Sequence, residues 1–417
     1  MRGYRRALRW RGEKWTERGP RGIGSMWARR WGRGEGLRDD KPASARWRGA
    51  ALAALALAAL TLGMLPVPAA AEPADALLEG LDVSPITQWS QEQNIGVDVE
   101  ALLSQLARGE AEWDFEGTLK KVGELALSMA REALGWMARL AAPALLWAAL
   151  GSLWPGSAAR AVQLPCALAV AAQLAGLYQA CASTAQGALS AMAGLCRALY
   201  PVLGALLAAG GKGAGAAMFT PAAALAGTIT AAGLEKWAIG LASVAAALTL
   251  AGHLSQEARL DGLAGLARRA CAFLLGGAMT AFAGVMTVQG ILSRGYDGAS
   301  LQTARFAVGS LLPIVGGEVA DSLDALVTSA ALVKNAVGVA GLVLLLALCA
   351  RPVIYLALMG LAVRLAGAVV EILAWGAPQK MLARFADVVS LLLAAVAAGA
   401  VLAIILVGGA LTLFGGG

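Results

Sequence analysis

Two stretches and a handful of side chains carry residue types that could do chemistry. Gly210-Gly211-Lys212-Gly213 has the glycines and lysine of a phosphate-binding loop. Such a loop needs a further glycine five positions before the Gly-Lys pair, and a hydroxyl after the lysine to reach a magnesium ion. Leu206 and Gly213 occupy those two places, so the stretch reads as a short connection between apolar segments. His253 is the single histidine, and no GxSxG or HExxH pattern occurs. Triad and histidine acid–base chemistry therefore lack their parts. Cys166, Cys181, Cys196, Cys271 and Cys349 stand in apolar surroundings without a CxxC pair, which excludes the usual zinc spacings. They read as small hydrophobes. No catalytic residue, cofactor site or metal site is nominated, and the chain is not expected to be an enzyme.

The second stretch begins at Ala304, where polar residues return within an apolar half: ARFAVGSLLPIVGGEVADSLDALVTSAALVKNAVGVAG. Pro313 and Gly316-Gly317 interrupt any helix begun near Phe306, and a new helix is expected near Glu318, whose carboxylate suits a helix N-terminus. Asp321, Asp324, Thr328 and Asn335 then share one helical face. That face fits either a broken, re-entrant pair lining a polar path or an amphipathic helix at the outer interface. Lys334 is expected to be a solvated charge, with pairing to a nearby carboxylate as the alternative.

The elements that must position these residues are membrane helices. The 417 residues are 58% hydrophobic and 15% charged, with a mean hydropathy of +0.66, and a water-soluble surface cannot be made from them. Long apolar runs recur from about residue 140, each near the roughly 20 residues needed to cross a bilayer. They predict spans at about 140–154, 161–182, 188–209, 216–234, 237–252, 271–293, 336–359, 361–375 and 388–413. Six to eight of these are expected to be true crossings in an all-α, polytopic membrane bundle. The pair around Glu235-Lys236 reads as a hairpin or as one broken helix. Arg197, Arg364 and Glu371 are the intramembrane charges, and they form no recognisable set.

Charge divides the chain into segments. Residues 1–48 hold 15 Lys/Arg against 5 Asp/Glu, whereas the remaining residues carry a net −3. The basic excess thus belongs to a leader of disordered composition, and nucleic-acid binding is not expected. The leader is long for an export signal, which leaves translation from Met26 or a cytoplasmic tail as readings. Residues 49–71 have the order of a secretory signal peptide, with an apolar run, Pro66 and Pro68, then small residues before Glu72. An uncleaved anchor is the other reading. Residues 72–139 form an acidic exported segment, with eleven acidic residues and one basic residue between Glu72 and Glu116. Val99, Leu102, Leu103 and Leu106 fit one helical face there, Ser84-Pro85 signals a turn, and a longer amphipathic helix over 118–139 lies on the membrane or leads into it. Residues 140–417 are the multi-pass domain, and the polar stretch from His253 to Arg269 suits the cytoplasmic side. Abundant Ala and Gly permit close helix packing and a homo-oligomer of unspecified number.

From about residue 77 onward the sequence resembles the stage III sporulation protein AE family of endospore-forming bacteria. The most specific stretch is LLPIVGGEVADSLDALVTSAALVKNAVG, residues 311–338, followed by the Pro352 span through Glu371. The resemblance implies a membrane platform or channel subunit of the secretion-like complex joining mother cell to forespore, in the mother-cell-derived outer forespore membrane. It implies as partners the other membrane proteins of the stage III operon and their cytoplasmic ATPase, within the lipid bilayer. The family motif falls on Pro313, Gly316, Gly317, Asp321, Lys334, Asn335 and Gly338, which are expected to be functionally sensitive. An autonomous secondary transporter of a small solute is the alternative, although no internal repeat of the kind such proteins often carry is evident.

Overall fold

A computed structural model describes residues 82–93, 98–108, 115–153, 157–209, 229–254, 260, 262–285, 287, 316–373 and 377–412. The leader 1–48, the signal segment 49–71, most of the 216–234 span and Pro313 lie outside them. The described residues form helices and no strand. These are α1 Ser84–Glu92, α2 Val99–Arg108, α3 Phe115–Leu153, α4 Ser157–Ala209, α5 Ile239–Leu254, α6 Gly262–Val285, α7 Gly316–Leu373 and α8 Ala377–Thr412. Among the described residues, six helical segments are long and apolar enough to cross a membrane, in α3, α4, α5 with the turn and a half before it, α6, α7 and α8, which gives the polytopic all-α bundle expected from the hydropathy.

Several expected breaks are absent. The spans at 161–182 and 188–209 are one helix, α4, because the polar residues between them satisfy themselves along the helix. Ser183 and Thr184 both donate their hydroxyls to the Ala180 carbonyl, at 3.0 and 2.8 Å, a local bond that leaves the backbone ladder intact. Likewise 336–359 and 361–375 join in α7, with Pro352 inside it. The 118–139 helix leads into the 140–154 span as one element, α3. Around Glu235-Lys236 the chain is a single broken helix: a π-helical segment, Ile229–Ala238, passes directly into α5.

At 1.5 Å per residue, the 53-residue α4 and 58-residue α7 are roughly 80 and 87 Å long. Crossing a ~30 Å hydrocarbon core, even at a tilt of about 40°, uses only roughly 26 residues. Both helices therefore run well beyond the lipid. Protein packing accompanies α4 over more than that length, since buried residues recur along it from Cys166 and Val170 to Leu203 and Leu207.

The centre of the bundle is the most C-terminal described helix. α8 is 83% buried over its apolar window, against 22% for α3 and α6. Its residues 388–400 are all buried. A Cβ on Gly399 would meet Leu189 Cδ2 at 2.6 Å and Met192 Sδ at 3.1 Å, so glycine is what lets α8 and α4 approach here. Tyr178 of α4 meets Phe385 of α8 edge to face at 6.3 Å and hydrogen-bonds Ser243 of α5 at 2.8 Å. α7 and α8 are an antiparallel hairpin, with Gly367 facing Leu382. All five cysteines are buried and reduced, packed as small hydrophobes.

The acidic segment contributes two short amphipathic helices that dock on this bundle. Ser84-Pro85 starts a helix rather than a turn, because a proline in the first turn forfeits no intrahelical bond. The Ser84 hydroxyl and amide both donate to Asp82 and hold its carboxyl below the usual carboxylate range. In α2 the Asp98 carboxylate accepts the amides of Glu100 and Ala101 at 3.1 and 3.2 Å, an N-terminal cap. Val99, Leu103 and Leu106 bury the expected face, and Leu102 packs at its edge.

Candidate functional site

Apart from Pro313, which lies outside the described residues, the motif residues occupy the first two-fifths of α7. Gly316 and Gly317 open that helix, near the expected start, and Asp321 lies in its second turn; the side chains described begin at Val333. Lys334 is completely enclosed at 0% exposure, Gly338 is buried, and Asn335 is half-buried. The expectation of a solvated Lys334 is therefore corrected. The helix does not stop at an interface but continues inward, and Val333, Lys334, Val337, Gly338 and Gly341 fall on its packed side. Gly341 lies so close to α4 that an added Cβ would meet Leu199 Cδ1 at 2.9 Å. An enclosed ammonium is expensive and in membrane proteins usually serves function.

A second polar region is not evident from the sequence. A cavity of about 740 Å³ opens between α3, α4 and α7, beside Gln93 at the end of α1. Its charges are Glu132 of α3 and Arg351 of α7, which form no ion pair with each other among the described contacts. The Tyr355 hydroxyl donates to Glu132 Oε1 at 3.3 Å. Ser128, Ser183 and Thr184 also line the cavity. Each of their hydroxyl protons is already given to a helix carbonyl: Ser128 to Leu125 at 2.8 Å, Ser183 and Thr184 to Ala180. Their remaining lone pairs make them acceptors towards the cavity. Pro352 has no amide to donate to the Leu348 carbonyl four residues earlier, which leaves one more acceptor in this wall. The signal available in the sequence is the Arg351-Pro352 pair inside an apolar span.

A third polar cluster lies about 20 Å further along α7, counting thirteen residues from Arg351 to Arg364. Arg364 reaches Asp387 of α8 at 3.5 Å and Ser390 at 3.2 Å. Arg268 of α6 meets the other oxygen of Asp387 at 3.7 Å and the Arg384 carbonyl at 3.4 Å. Gln379 donates to Glu371 at 3.3 Å. Of the three intramembrane charges singled out in the sequence, Arg364 alone enters this Arg-Asp-Arg bridge across three helices. The missing member is Asp387, which stands at the start of an apolar run and reads in the sequence as its polar flank. Arg197 instead donates to its own helix, at the Ala193 carbonyl.

The acidic segment touches the groove side of the bundle. Trp89 of α1 is buried, donates its indole N–H to the Ala191 carbonyl of α4 at 3.1 Å, and lies over Gly194, where a Cβ would meet Nε1 at 2.8 Å. Among the described residues, no cluster of three or more His, Cys, Asp or Glu could hold a metal ion.

A family profile described as Stage III sporulation protein AE matches residues 97–412. The stage III sporulation protein AE of Bacillus subtilis (strain 168) is 30% identical over 189 residues, which are 45% of this chain and 47% of that protein. The aligned stretch thus spans about half the length of the curated relative it matches. No solved structure matches the chain.

Proposed function

Because the chain belongs to the stage III sporulation protein AE family, and is therefore a membrane protein of sporulation, we propose that it is a platform or channel subunit of a secretion-like complex joining mother cell to forespore. In this reading it acts without catalysis of its own and stands in the outer forespore membrane. Its partners are the other stage III operon membrane proteins and their cytoplasmic ATPase.

The observation that carries this reading is the extension of an apolar, glycine-knit core beyond the thickness of a bilayer. Such a core gives neighbouring subunits a rigid body to assemble on. The orientation is consistent with it. Arg268, Arg269, Arg364, Lys380 and Arg384 crowd the end where α6 and α8 begin and α7 finishes, and a basic end faces the cytoplasm. α4 runs antiparallel to α7, since Leu199 meets Gly341 while the earlier residues Ser183 to Ala191 face the later Leu348 to Tyr355 across the groove. The docking point of Trp89 on α4 therefore lies towards the opposite end, as an exported acidic segment requires.

The test is isolation of the tagged chain from sporulating cells, with single cysteines at Ser84 and Lys380 for labelling. Co-purification of the operon partners, outward labelling at 84 and protection at 380 are expected. Isolation of the chain alone from a uniform mother-cell membrane, with normal spores from the null strain, would remove the proposal.

A further inference from the structure

We propose that the groove between α3, α4 and α7 is a binding site for a small zwitterion of the amino-acid class, with Glu132 and its neighbouring hydroxyl oxygens receiving the ammonium and Arg351 the carboxylate. The volume of about 740 Å³ is that of a small-molecule site. Its chemistry is lopsided in an informative way. The hydroxyl protons of Ser128, Ser183 and Thr184 are committed to their own helices, so these side chains offer the cavity oxygen lone pairs. The Leu348 carbonyl, deprived of its amide by Pro352, offers another. Together with the Glu132 carboxylate they form a wall of acceptors, which suits a multi-donor cation such as an ammonium. The Tyr355 hydroxyl fixes one carboxylate oxygen of Glu132 and leaves the other open.

A pure cation site would need no arginine. Arg351 projects into the same cavity with its five donors unspent on any described acidic group, and a guanidinium fork matches a carboxylate in two places at once. Opposite charges that line one cavity without closing on each other are arranged to be bridged. A ligand carrying both charges at short separation satisfies both walls, while an anion or a cation alone leaves one of them without a partner. Gly187 keeps the α4 side of the cavity low, which leaves room for a side chain of variable size. This inference does not rest on the platform reading: it concerns the isolated chain, whereas that reading is tested by partners and by spore yield.

The experiment is thermal-shift titration of the purified full chain in nanodiscs of neutral lipid, with each of the proteinogenic amino acids at about 10 mM. Isothermal titration then follows for the best binder, its N-acetyl derivative and its methyl ester. Saturable binding of at least one zwitterion is expected, weakened about tenfold or more by either blocked derivative and by Glu132→Gln or Arg351→Gln. Both side chains are exposed, so these variants keep the fold. Thr184→Val, which keeps shape and removes one acceptor, should weaken binding by a smaller factor. Absence of binding by all the amino acids would overturn the proposal. Equal binding of the methyl ester would make the groove a plain cation site and also overturn it. Unchanged affinity in both charge variants would place any bound amino acid elsewhere, and the proposal would fall in that case too.

Discussion

The docking of α1 on α4 can be tested at one atom. Gly194→Ala places a methyl group 2.8 Å from Trp89 Nε1 and 3.0 Å from Cδ1, closer than packed atoms stand. The indole cannot simply swing away, because it is 5% exposed and its N–H is spent on the Ala191 carbonyl. Two effects of opposite sign follow. Alanine stabilises the middle of α4 by about 0.8–1 kcal/mol relative to glycine. Overpacking against the indole costs about 1–3 kcal/mol, and that cost falls on the docked state of α1 alone. The global unfolding temperature should therefore barely move, while α1 undocks more often. A shift of about 1–3 kcal/mol in local opening is roughly a 5- to 150-fold loss of amide protection across α1. Hydrogen exchange with mass spectrometry reads this directly. Trp89→Leu removes the atoms that clash, so in the double variant the cost of Gly194→Ala should vanish. A coupling of at least about 1 kcal/mol between the two sites is expected. Strictly additive effects, or unchanged protection of residues 84–92 in Gly194→Ala, would refute the contact as the latch.

Three further outcomes are expected. Asp387→Asn leaves Arg268 and Arg364 facing each other in a partly buried site, which should lower stability in detergent by about 2–3 kcal/mol, measured by thermal unfolding; a change within about 0.5 kcal/mol would argue that the bridge is ornamental. Gly399→Val, at the closest approach of α8 to α4, should destabilise by about 3 kcal/mol or abolish accumulation, and Gly399→Ala should do so less, both read by membrane-fraction immunoblot and melting. Asp321→Ala and Asn335→Ala should leave membrane insertion intact while spore yield falls. Normal yield at normal protein level from both would remove the case for this face.

Membrane helices were legible in the sequence because hydropathy is a property of a window, and a window of about twenty apolar residues has few other stable fates. Helix continuity was not. Hydropathy dips at Ser183 and Thr184 just as it would at a loop, yet those hydroxyls turn back onto Ala180 and cost the helix nothing. Nor does hydropathy tell lipid from protein. α8 and α6 both read as spans, but α8 is sheathed by other helices whereas α6 exposes Phe273 and Leu266 at 83% and 63%. What separates them in the sequence is residue size: the Ala- and Gly-rich run at 394–400 allows neighbours to close on α8 from several sides. That signal was visible, but composition alone could not assign it to one helix.

The polar sites were harder to read for a reason rooted in geometry. Within one helix, spacing is informative, and the Val99 to Leu106 face came out as expected because a period of about 3.6 residues fixes it. Asp387 with Arg268 and Arg364, or Glu132 with Arg351, are relations between helices 23 to 219 residues apart in number, and no periodicity within either partner encodes them. Lys334 shows the same limit from the other side. Its neighbours along α7 suggest a solvated lysine, yet it is fully enclosed on the packed side of the helix. The local clue in each case is a mismatch, a charge standing where the surrounding window is apolar. Arg351 beside Pro352 is the sharpest of these, because the proline frees a backbone carbonyl at the same level as the charge. The coincidence alone does not single out the groove, since Arg139 with Pro143 and Arg197 with Pro201 also stand one turn apart; it is the packing of α3 and α4 against α7 that brings Arg351 opposite Glu132.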